Sequence, residues 1–293
     1  MQIVEYDRHV LPSLTRLINE QMAGIPPGCA FTEQQIDQTI ERGGLLWKSH
    51  FPDQSASFFT ARTVCVLEKR EVVAAAQWLI PSTGSDVCAL LWIVAHPKHP
   101  IPLKTLLHLV EKQAESSGCT SIEPTRCSFG AGWSGIPAIW THVVKGLREA
   151  GYEPGEKWLL MHGETDVHNT ILADADPRVK LYWDMNKPAL EWKVTAYTGE
   201  TQVGQCLVWG VPALWEGCPN FAEWATVESL EVNPDQRRRG FGKRLIAEQM
   251  RFQARRGIQH FLVWVGEDNE AARKLTESLQ FFYGQELLML RKR

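Results

Sequence analysis

One stretch, residues 224–248, constrains the fold more than any other part of the 293-residue chain. It opens with an alternating, β-branched run, Trp224–Val232, which predicts a strand. Turn-forming residues follow at 233–235, and from Gly240 onward apolar residues recur at helical spacing. Basic side chains are concentrated around the predicted helix start: Arg237, Arg238, Arg239, Lys243 and Arg244. Because the first amide groups of a helix lack partners and its dipole favours anions there, the stretch predicts a phosphate cradle.

The kind of phosphate ligand follows from the glycine spacing. A dinucleotide fingerprint would need glycine where Leu245 stands, and a Walker loop would need Ser or Thr where Arg244 stands. The pattern that fits is Arg-x-x-Gly-x-Gly, formed by Arg237, Gly240 and Gly242, five residues after the predicted strand. It resembles the pyrophosphate loop of the GNAT superfamily of acyl-CoA-dependent N-acyltransferases. A solvated basic helix start and a nucleic-acid patch are the alternative interpretations.

The resemblance implies a specific binding mode for coenzyme A. In that family the loop amides hold the pyrophosphate, and the strand before the loop separates from its neighbour to admit the pantetheine arm. The residues expected to bind the co-substrate acetyl-CoA are therefore Leu230, Glu231 and Val232 on the strand, and Arg237, Arg238, Arg239, Gly240, Phe241, Gly242 and Lys243 in the loop.

A second landmark lies at residues 269–281. It resembles the family pattern Asn-x-x-Ala-x-x-Leu-Tyr-x-x-x-Gly-Phe, with matches at Asn269, Ala272, Leu275 and Phe281. Asn269 and Ala272 therefore join the expected coenzyme-binding residues.

Two positions depart from that pattern. Thr276 stands where the family has Tyr, and Gln280 stands where it has Gly. In the family the Tyr often protonates the coenzyme A thiolate, and Thr is a far poorer acid. The proton must then come from Tyr283 or a water, or the thiolate leaves without assistance.

Glu228 is the candidate general base. Strict alternation along a strand puts it on the same face as Leu230 and Val232, where a partly buried carboxylate is suited to accept a proton from an amine. Some members of the family place a catalytic side chain at this position. The alternative is an edge carboxylate in solvent or paired with an arginine, and Glu231 and Glu223 are weaker candidates.

The rest of the chain has the order of elements expected for a second copy of the same unit. His96-Pro97 aligns with Asn233-Pro234, and Gly118 with Gly257, at offsets of 137 and 139 residues. The predicted fold is α/β (α+β): two GNAT-like units with mixed, mostly antiparallel sheets flanked by helices. Residues 1–165 are predicted to form a degenerate N-terminal domain and residues 176–293 the acetyl-CoA-binding domain.

The first copy lacks the cradle. The corresponding loop contains no glycine and has prolines at 97, 100 and 102, which remove backbone donors. His96 and His99 in this loop are either metal ligands or surface residues, and we predict no metal site.

Composition limits the partners and the compartment. A formal net charge of -3 argues against general nucleic-acid binding. Seven cysteines without a paired motif favour a reducing compartment. With neither a signal-peptide pattern nor a membrane-spanning apolar run, the expectation is a soluble, cytoplasmic protein that binds no membrane. The Trp-rich segment 208–224 is interpreted as packing or as a surface for an ammonium group.

The predicted function is acetyl-CoA-dependent N-acetyltransfer to a primary amine of a small molecule or peptide. The alternative is a catalytically inactive acyl-CoA-binding sensor or scaffold module, kept open by Thr276. The sequence does not indicate the acceptor, the acyl length or the oligomeric state.

Overall fold

The chain divides into two compact units. A computed structural model describes residues 1–25, 28, 30–50, 59–81, 86–124, 135–165, 179–186, 191–210 and 222–293, with backbone only at 42–50 and 186. The first unit comprises Met1–Trp158 and Gln285–Arg293, and the second comprises Leu159–Gly284. The predicted domain boundary between 165 and 176 falls in residues 166–178, outside the described part of the chain, and stays a prediction. The predicted fold class is confirmed, since helices flank two mostly antiparallel sheets.

The first unit is built on a five-stranded sheet of order β1-β2-β3-β4-β5. Its elements in chain order are β1 (Gln2–Glu5), α1 (Leu11–Met22), α2 (Glu33–His50), β2 (Phe59–Glu68), β3 (Glu71–Pro81), β4 (Val87–Ala95), α3 (Pro100–Ser116), β5 (Ser121–Pro124), β6 (Ile136–Pro137) and α4 (Thr141–Glu149). The pairing is antiparallel except between β4 and β5. Thr32 and Gln35 form a capping box at the start of α2, because each side chain accepts the other's amide.

Two elements of the first unit differ from what the sequence alone predicts. The sequence predicts a loop from residue 43, but residues 43–50 continue α2. It also predicts a helix over residues 136–150, but the helix begins only at Thr141, because Ile136 and Pro137 form a short strand against Leu288 and Leu287. Strand pairing with a segment far along the chain is invisible to a helical periodicity.

The second unit has strands in the order β7-β12-β11-β10-β9-β8. Its elements are the end of β7 (Glu153–Glu164), β8 (Val179–Asn186), β9 (Glu191–Thr198), β10 (Thr201–Gly210), β11 (Trp224–Val232), α5 (Phe241–Ala254), β12 (His260–Gly266), α6 (Glu270–Ser278) and the start of β13 (Phe282–Arg291). β9 and β10 form a hairpin, and β8 pairs with the other edge of β9. β8 to β11 pair antiparallel, and β11 pairs with β12 in parallel.

The core of the second unit lies between one face of this sheet and α5. Leu245 and Met250 of α5 are fully buried and belong to one cluster with Ala225 and Val227 of β11. This packing holds the start of α5 beside the end of β11. The loop between them, residues 233–240, is therefore held at both ends by elements that pack into the core.

Candidate active site

The two parallel strands β11 and β12 form a wedge. They are paired at only three positions, Trp224 with His260, Ala225 with Phe261 and Thr226 with Leu262. On its other edge β11 stays paired with β10 up to Val232. Beyond Thr226 the described parts of β11 and β12 therefore separate, which leaves one edge of β11 open. This is the separation that the resemblance implied.

A β-bulge at Glu228 changes the direction of the β11 side chains. The register with β10 passes from Val227 to Ser229 without a partner position for Glu228. Val227 lies in the core cluster, and Leu230 and Val232 pack against it. Glu228 and Ser229 together occupy the place of one residue between these core-facing positions. The prediction that Glu228 shares a face with Leu230 and Val232 is therefore wrong, because the extra residue shifts the alternation.

Glu228 consequently belongs to the face of the sheet opposite α5, just past the point where the wedge opens. Its side chain is half-buried. The two weaker candidates are exposed: Glu231 accepts a hydrogen bond from Gln205 Nε2 at 3.0 Å, and Glu223 lies before the strand. Bulges often re-aim a side chain next to a functional site. The position of Glu228 suits a base that meets an acceptor on the face away from α5.

The loop after β11 is anchored at its start. The backbone N–H of Asn233 donates to the Val203 carbonyl at 3.0 Å, and its Nδ2 donates to the Gln202 carbonyl at 2.6 Å. Arg237 Nε donates back to the Val232 carbonyl at 3.1 Å. These bonds fix where the chain turns toward α5.

The amide groups of this loop form an anion cradle. Arg238 and Gly240 have positive φ values of 60° and 82°, a geometry that turns successive amides to one side. The first helical bond of α5 runs from Arg244 N to Gly240 O, at 3.0 Å. Six successive amides, those of residues 238–243, donate to no group within the described part of the chain. Gly240 caps α5 without a side chain, so the helix start is open to an anion.

The basic side chains around the cradle differ in their surroundings. Arg239 Nη1 donates to Gln236 Oε1 at 2.6 Å, which holds one guanidinium near the turn. Lys243, in the first turn of α5, is half-buried. A Cβ at Gly242 would lie 3.3 Å from Leu275 Cδ2, so α6 packs beside the start of α5.

Asn269 and Ala272 begin α6 at the end of β12. Asn269 Oδ1 accepts the Ala272 amide at 3.0 Å and so caps the helix. Ala272 is partly buried against the core cluster. The family pattern at these positions therefore has a local structural reason, and their predicted contact with the coenzyme stays a prediction.

The Thr276 hydroxyl is committed to its own helix. It donates to the carbonyls of Arg273, at 2.9 Å, and Ala272, at 3.1 Å, and the residue is 2% exposed. Gln280, at the other position that departs from the family, has a φ of 57° in the left-handed region. Tyr283, the alternative acid, is 54% exposed.

A histidine pair that the sequence did not indicate lies at the closed end of the wedge. His162 Nε2 is 3.1 Å from His260 Nδ1, although the residues are 98 apart in sequence. Trp224 stacks on both rings, with centroid distances of 4.8 Å to His162 and 4.4 Å to His260. Burial, with the neighbouring His260, lowers the pKa of His162 to about 4. No sequence spacing links these residues; only the pairing of strands brings them together.

Three further observations concern the described residues as a whole. Among them no group of three or more His, Cys, Asp or Glu side chains is arranged to hold a metal ion. In the same ranges, no helix is both long and apolar enough to cross a membrane. Free thiols are found at Cys65, Cys88, Cys119 and Cys206.

Comparison with known proteins bears on both units. Residues 159–281 match the family model described as acetyltransferase (GNAT) family. No curated protein matches the sequence significantly. A tandem GNAT protein from the clavulanic acid biosynthesis pathway has a similar structure, with a TM-score of 0.66 at 12% identity over 99% of this chain and 98% of its own.

Two other solved structures are similar over the same length of this chain. A GCN5-related N-acetyltransferase from Sphaerobacter thermophilus has a TM-score of 0.65 at 15% identity, covering 99% of this chain and 95% of its own. A GCN5-related glucosamine N-acetyltransferase region of a fungal multi-domain GH3 β-N-acetylglucosaminidase has a TM-score of 0.67 at 10% identity, covering 99% of this chain and 38% of its own. The chain therefore carries a GNAT-family acetyltransferase domain at residues 159–281 and has, over its whole length, the fold of tandem GNAT proteins.

Proposed function

We propose that the protein is an acetyl-CoA-dependent N-acetyltransferase that acts on a primary amine of a small molecule or peptide. The observation that carries the proposal is the row of six unpartnered amides at the start of α5, next to the wedge between β11 and β12. Helix-start amides and surrounding positive charge are suited to a pyrophosphate. The open edge of β11 offers backbone groups to a pantetheine arm.

The co-substrate would lie along the wedge. Its pyrophosphate would bind at residues 238–243, with Arg237 holding the turn and Lys243 adding charge. Leu230, Glu231 and Val232 form the strand edge that it would follow, and Asn269 and Ala272 lie at the start of α6. Acetyl-CoA supplies an activated thioester carbonyl to the amine.

Glu228 is the proposed general base. An amine on the sheet face opposite α5 would meet its carboxylate where the wedge opens, beyond Thr226. Accepting the ammonium proton generates the neutral amine that attacks the thioester. The bulge is the structural device that directs this carboxylate away from the core.

The leaving thiolate needs a different acid from the family's usual tyrosine. Thr276 does not fill that role, because its hydroxyl donates to backbone carbonyls of its own helix. We propose that a water or Tyr283 supplies the proton, or that the thiolate leaves unprotonated.

A second candidate function is acyl-CoA binding without turnover, in a sensor or scaffold. The orientation of the Thr276 hydroxyl favours it, since the helix that usually brings an acid to the thiolate brings none here. The cradle and the wedge would serve such a module equally well.

Thiol release from acetyl-CoA with a panel of amines separates the two functions. The panel contains a polyamine, lysine, a peptide with a free N-terminus, and glucosamine, the last because a structural relative is described as a glucosamine N-acetyltransferase region. Calorimetric titration with coenzyme A runs in parallel. Binding with amine-dependent thiol release supports the enzyme, whereas binding without release from any amine supports the module. Absence of coenzyme A binding would refute both.

The compartment and the partners belong to the same proposal. Seven cysteines without a paired motif suit the cytoplasm, and a net charge of -3 argues against nucleic acid as a partner. The amine acceptor is the only partner proposed, with neither nucleic acid nor membrane involved.

A further inference from the structure

The first unit contains a parallel strand pair that corresponds to β11 and β12. β4 and β5 pair in parallel over Val87–Leu90 and Ser121–Pro124, and β4 then continues to Ala95. A cavity of about 530 Å³ lies at the end of β4, bordered by the loop after it and by α3 and α4. This volume is in the range of about 300–1,000 Å³ typical of small-molecule sites. The coenzyme proposal for the second unit makes no use of it.

The loop at this cavity is unsuited to a pyrophosphate. Pro97, Pro100 and Pro102 have no backbone N–H. The amide of His96 donates to the Val73 carbonyl at 2.8 Å, and that of His99 donates to the His96 carbonyl at 3.0 Å. The Lys98 amide donates to His96 Nδ1, so within residues 96–102 the amide of Ile101 alone lacks an acceptor, against six successive amides in the cradle of the second unit. A different ligand chemistry is required.

Backbone contacts fix the imidazoles at the cavity. His142 Nε2 is 2.6 Å from the Ala95 carbonyl, to which it donates, and burial lowers the pKa of His142. His96 Nδ1 accepts the Lys98 amide at 3.2 Å. Backbone contacts thus orient both rings at the cavity, where their polar edges can meet a polar ligand.

The charged side chains at the cavity leave an excess of positive charge. Lys104 Nζ is 2.8 Å from Glu149 Oε2, and Lys145 Nζ is 3.8 Å from Glu149 Oε1. Among the described lining residues, these two ammonium groups share the Glu149 carboxylate, and His99 Nδ1 is 2.9 Å from Glu68 Oε2, which lies outside the lining. The longer contact leaves Lys145, which is 77% exposed, able to turn toward a ligand. On the side of α3 and α4, Lys104 and Lys145 therefore exceed Glu149 by one positive charge.

The remaining wall is apolar. Ala95, Pro97, Pro100 and Leu103 contribute carbon surface on the side of β4 and α3. α4 approaches closely at Gly146, where a Cβ would lie 2.5 Å from Leu103 Cδ2. The cavity thus combines one net positive charge with an apolar pocket formed by packed elements.

We propose that this cavity binds a small organic monocarboxylate with an apolar body. The carboxylate lies between Lys104 and Lys145, and the apolar body lies against Ala95 and Leu103. Coenzyme A is not the ligand, because the loop lacks the amides that a pyrophosphate needs. The site is separate from the coenzyme site and does not depend on the acetyltransferase proposal.

The test uses the full chain with saturating coenzyme A, so that the cradle of the second unit is occupied. Calorimetry measures the affinity for acetate, butyrate and hexanoate, with hexylamine as a control of the same chain length and the opposite headgroup charge. The affinity is expected to rise by up to about fourfold per methylene, the value for burying one CH₂. In protein labelled at histidine Cε1, hexanoate should shift the resonances of His142 and His96 and leave that of His260 unchanged.

A matched pair of variants checks the position of the carboxylate. Lys145→Glu reverses a charge at the cavity, and Lys112→Glu reverses an exposed charge on α3 outside the lining. Reversal next to a bound carboxylate is expected to weaken hexanoate by about tenfold or more. The change at Lys112 should leave the affinity within about twofold, because solvent and salt screen it.

Several results would overturn the proposal. These are the absence of any shift at His142 with all three carboxylates, equal weakening in the two variants, and hexanoate binding that appears only when coenzyme A is left out. A larger shift of His142 with pyrophosphate than with hexanoate would also overturn it, since it would assign the cavity to a phosphate ligand.

Discussion

Lys243→Glu separates coenzyme binding from folding. Lys243 is the third residue of α5, in a first turn that carries no acidic side chain. A carboxylate at this position is favourable for the helix, because it interacts well with the helix dipole and can accept the N–H of Gly240 in a capping box. The same carboxylate would occupy an amide of the cradle and repel a pyrophosphate.

The two effects have opposite signs and can be estimated. At a helix start the exchange of a cation for an anion should stabilise by about 0.5–1 kcal/mol. For the ligand, an attractive contact between two unit charges at about 4 Å contributes about 1 kcal/mol even in bulk water. Lys243→Glu removes this attraction and adds a repulsion of the same size, so the binding free energy changes by twice that amount. The loss of coenzyme A binding should therefore be at least about 2 kcal/mol, or about thirtyfold in dissociation constant.

Arg255→Glu is the matched control. It makes the same charge change at the other end of α5, where Arg255 is the exposed C-cap residue. An anion there opposes the dipole, so the control should lose about 0.3–1 kcal/mol of stability. It should bind coenzyme A as the unaltered protein does, because it is remote from the cradle.

Urea unfolding and calorimetric titration with coenzyme A measure the two quantities on each variant. The two variants are expected to show opposite effects. Lys243→Glu should be at least as stable as the unaltered protein and bind coenzyme A poorly, whereas Arg255→Glu should be less stable and bind coenzyme A normally. Normal coenzyme A affinity in a folded Lys243→Glu protein would refute the assignment of the cradle.

Three further predictions concern the same unit. Glu228→Gln should lower turnover by about 10²- to 10⁴-fold and leave the coenzyme A affinity nearly unchanged. The loss of turnover should become smaller at high pH, because solvent then deprotonates the amine. Near-normal turnover at neutral pH would show that Glu228 is not the base. Gln280→Gly should stabilise the second unit by about 1 kcal/mol in urea unfolding, because Gln280 has a positive φ at a helix end, where glycine has no steric penalty. An unchanged or lower urea midpoint of unfolding would contradict that account. Burial and His260 lower the pKa of His162 in the folded protein to about 4, so the unfolded chain binds a proton that the folded chain does not. The free energy of unfolding should therefore fall by about 2–3 kcal/mol as the pH drops from about 6.5 toward 4. In urea unfolding at several pH values, His162→Gln should flatten this pH dependence and the exposed His9→Gln should not; the same pH dependence in all three proteins would contradict the explanation.

Much of the proposed coenzyme site follows from local sequence. A strand, a turn, Gly240 and a helix start are contiguous, so their order along the chain already determines their order in space. The left-handed conformation at Gly240 and the open helix-start amides are consequences of backbone chemistry within a few residues. The capping roles of Thr32 and Asn269 were readable for the same reason.

The surroundings of the proposed base and of Thr276 were less predictable. The alternation rule places Glu228 correctly only if β11 is regular, and the bulge is defined by its register with β10. The substitution at Thr276 was visible in the sequence, but the commitment of its hydroxyl to the helix carbonyls was not. Which face a side chain takes depends here on pairing with another strand.

The sequence by itself determined the class of fold, the glycine loop that we propose for phosphate and the absence of such a loop in the first copy, because glycine, proline and apolar spacing act through the backbone of neighbouring residues. Only the tertiary structure decided which face Glu228 takes, that His162 meets His260, and that the first unit retains a cavity at the end of β4. These features join residues far apart in the chain, through strand register and helix packing. Such long-range contacts depend on the whole fold, and no local pattern of residues encodes them.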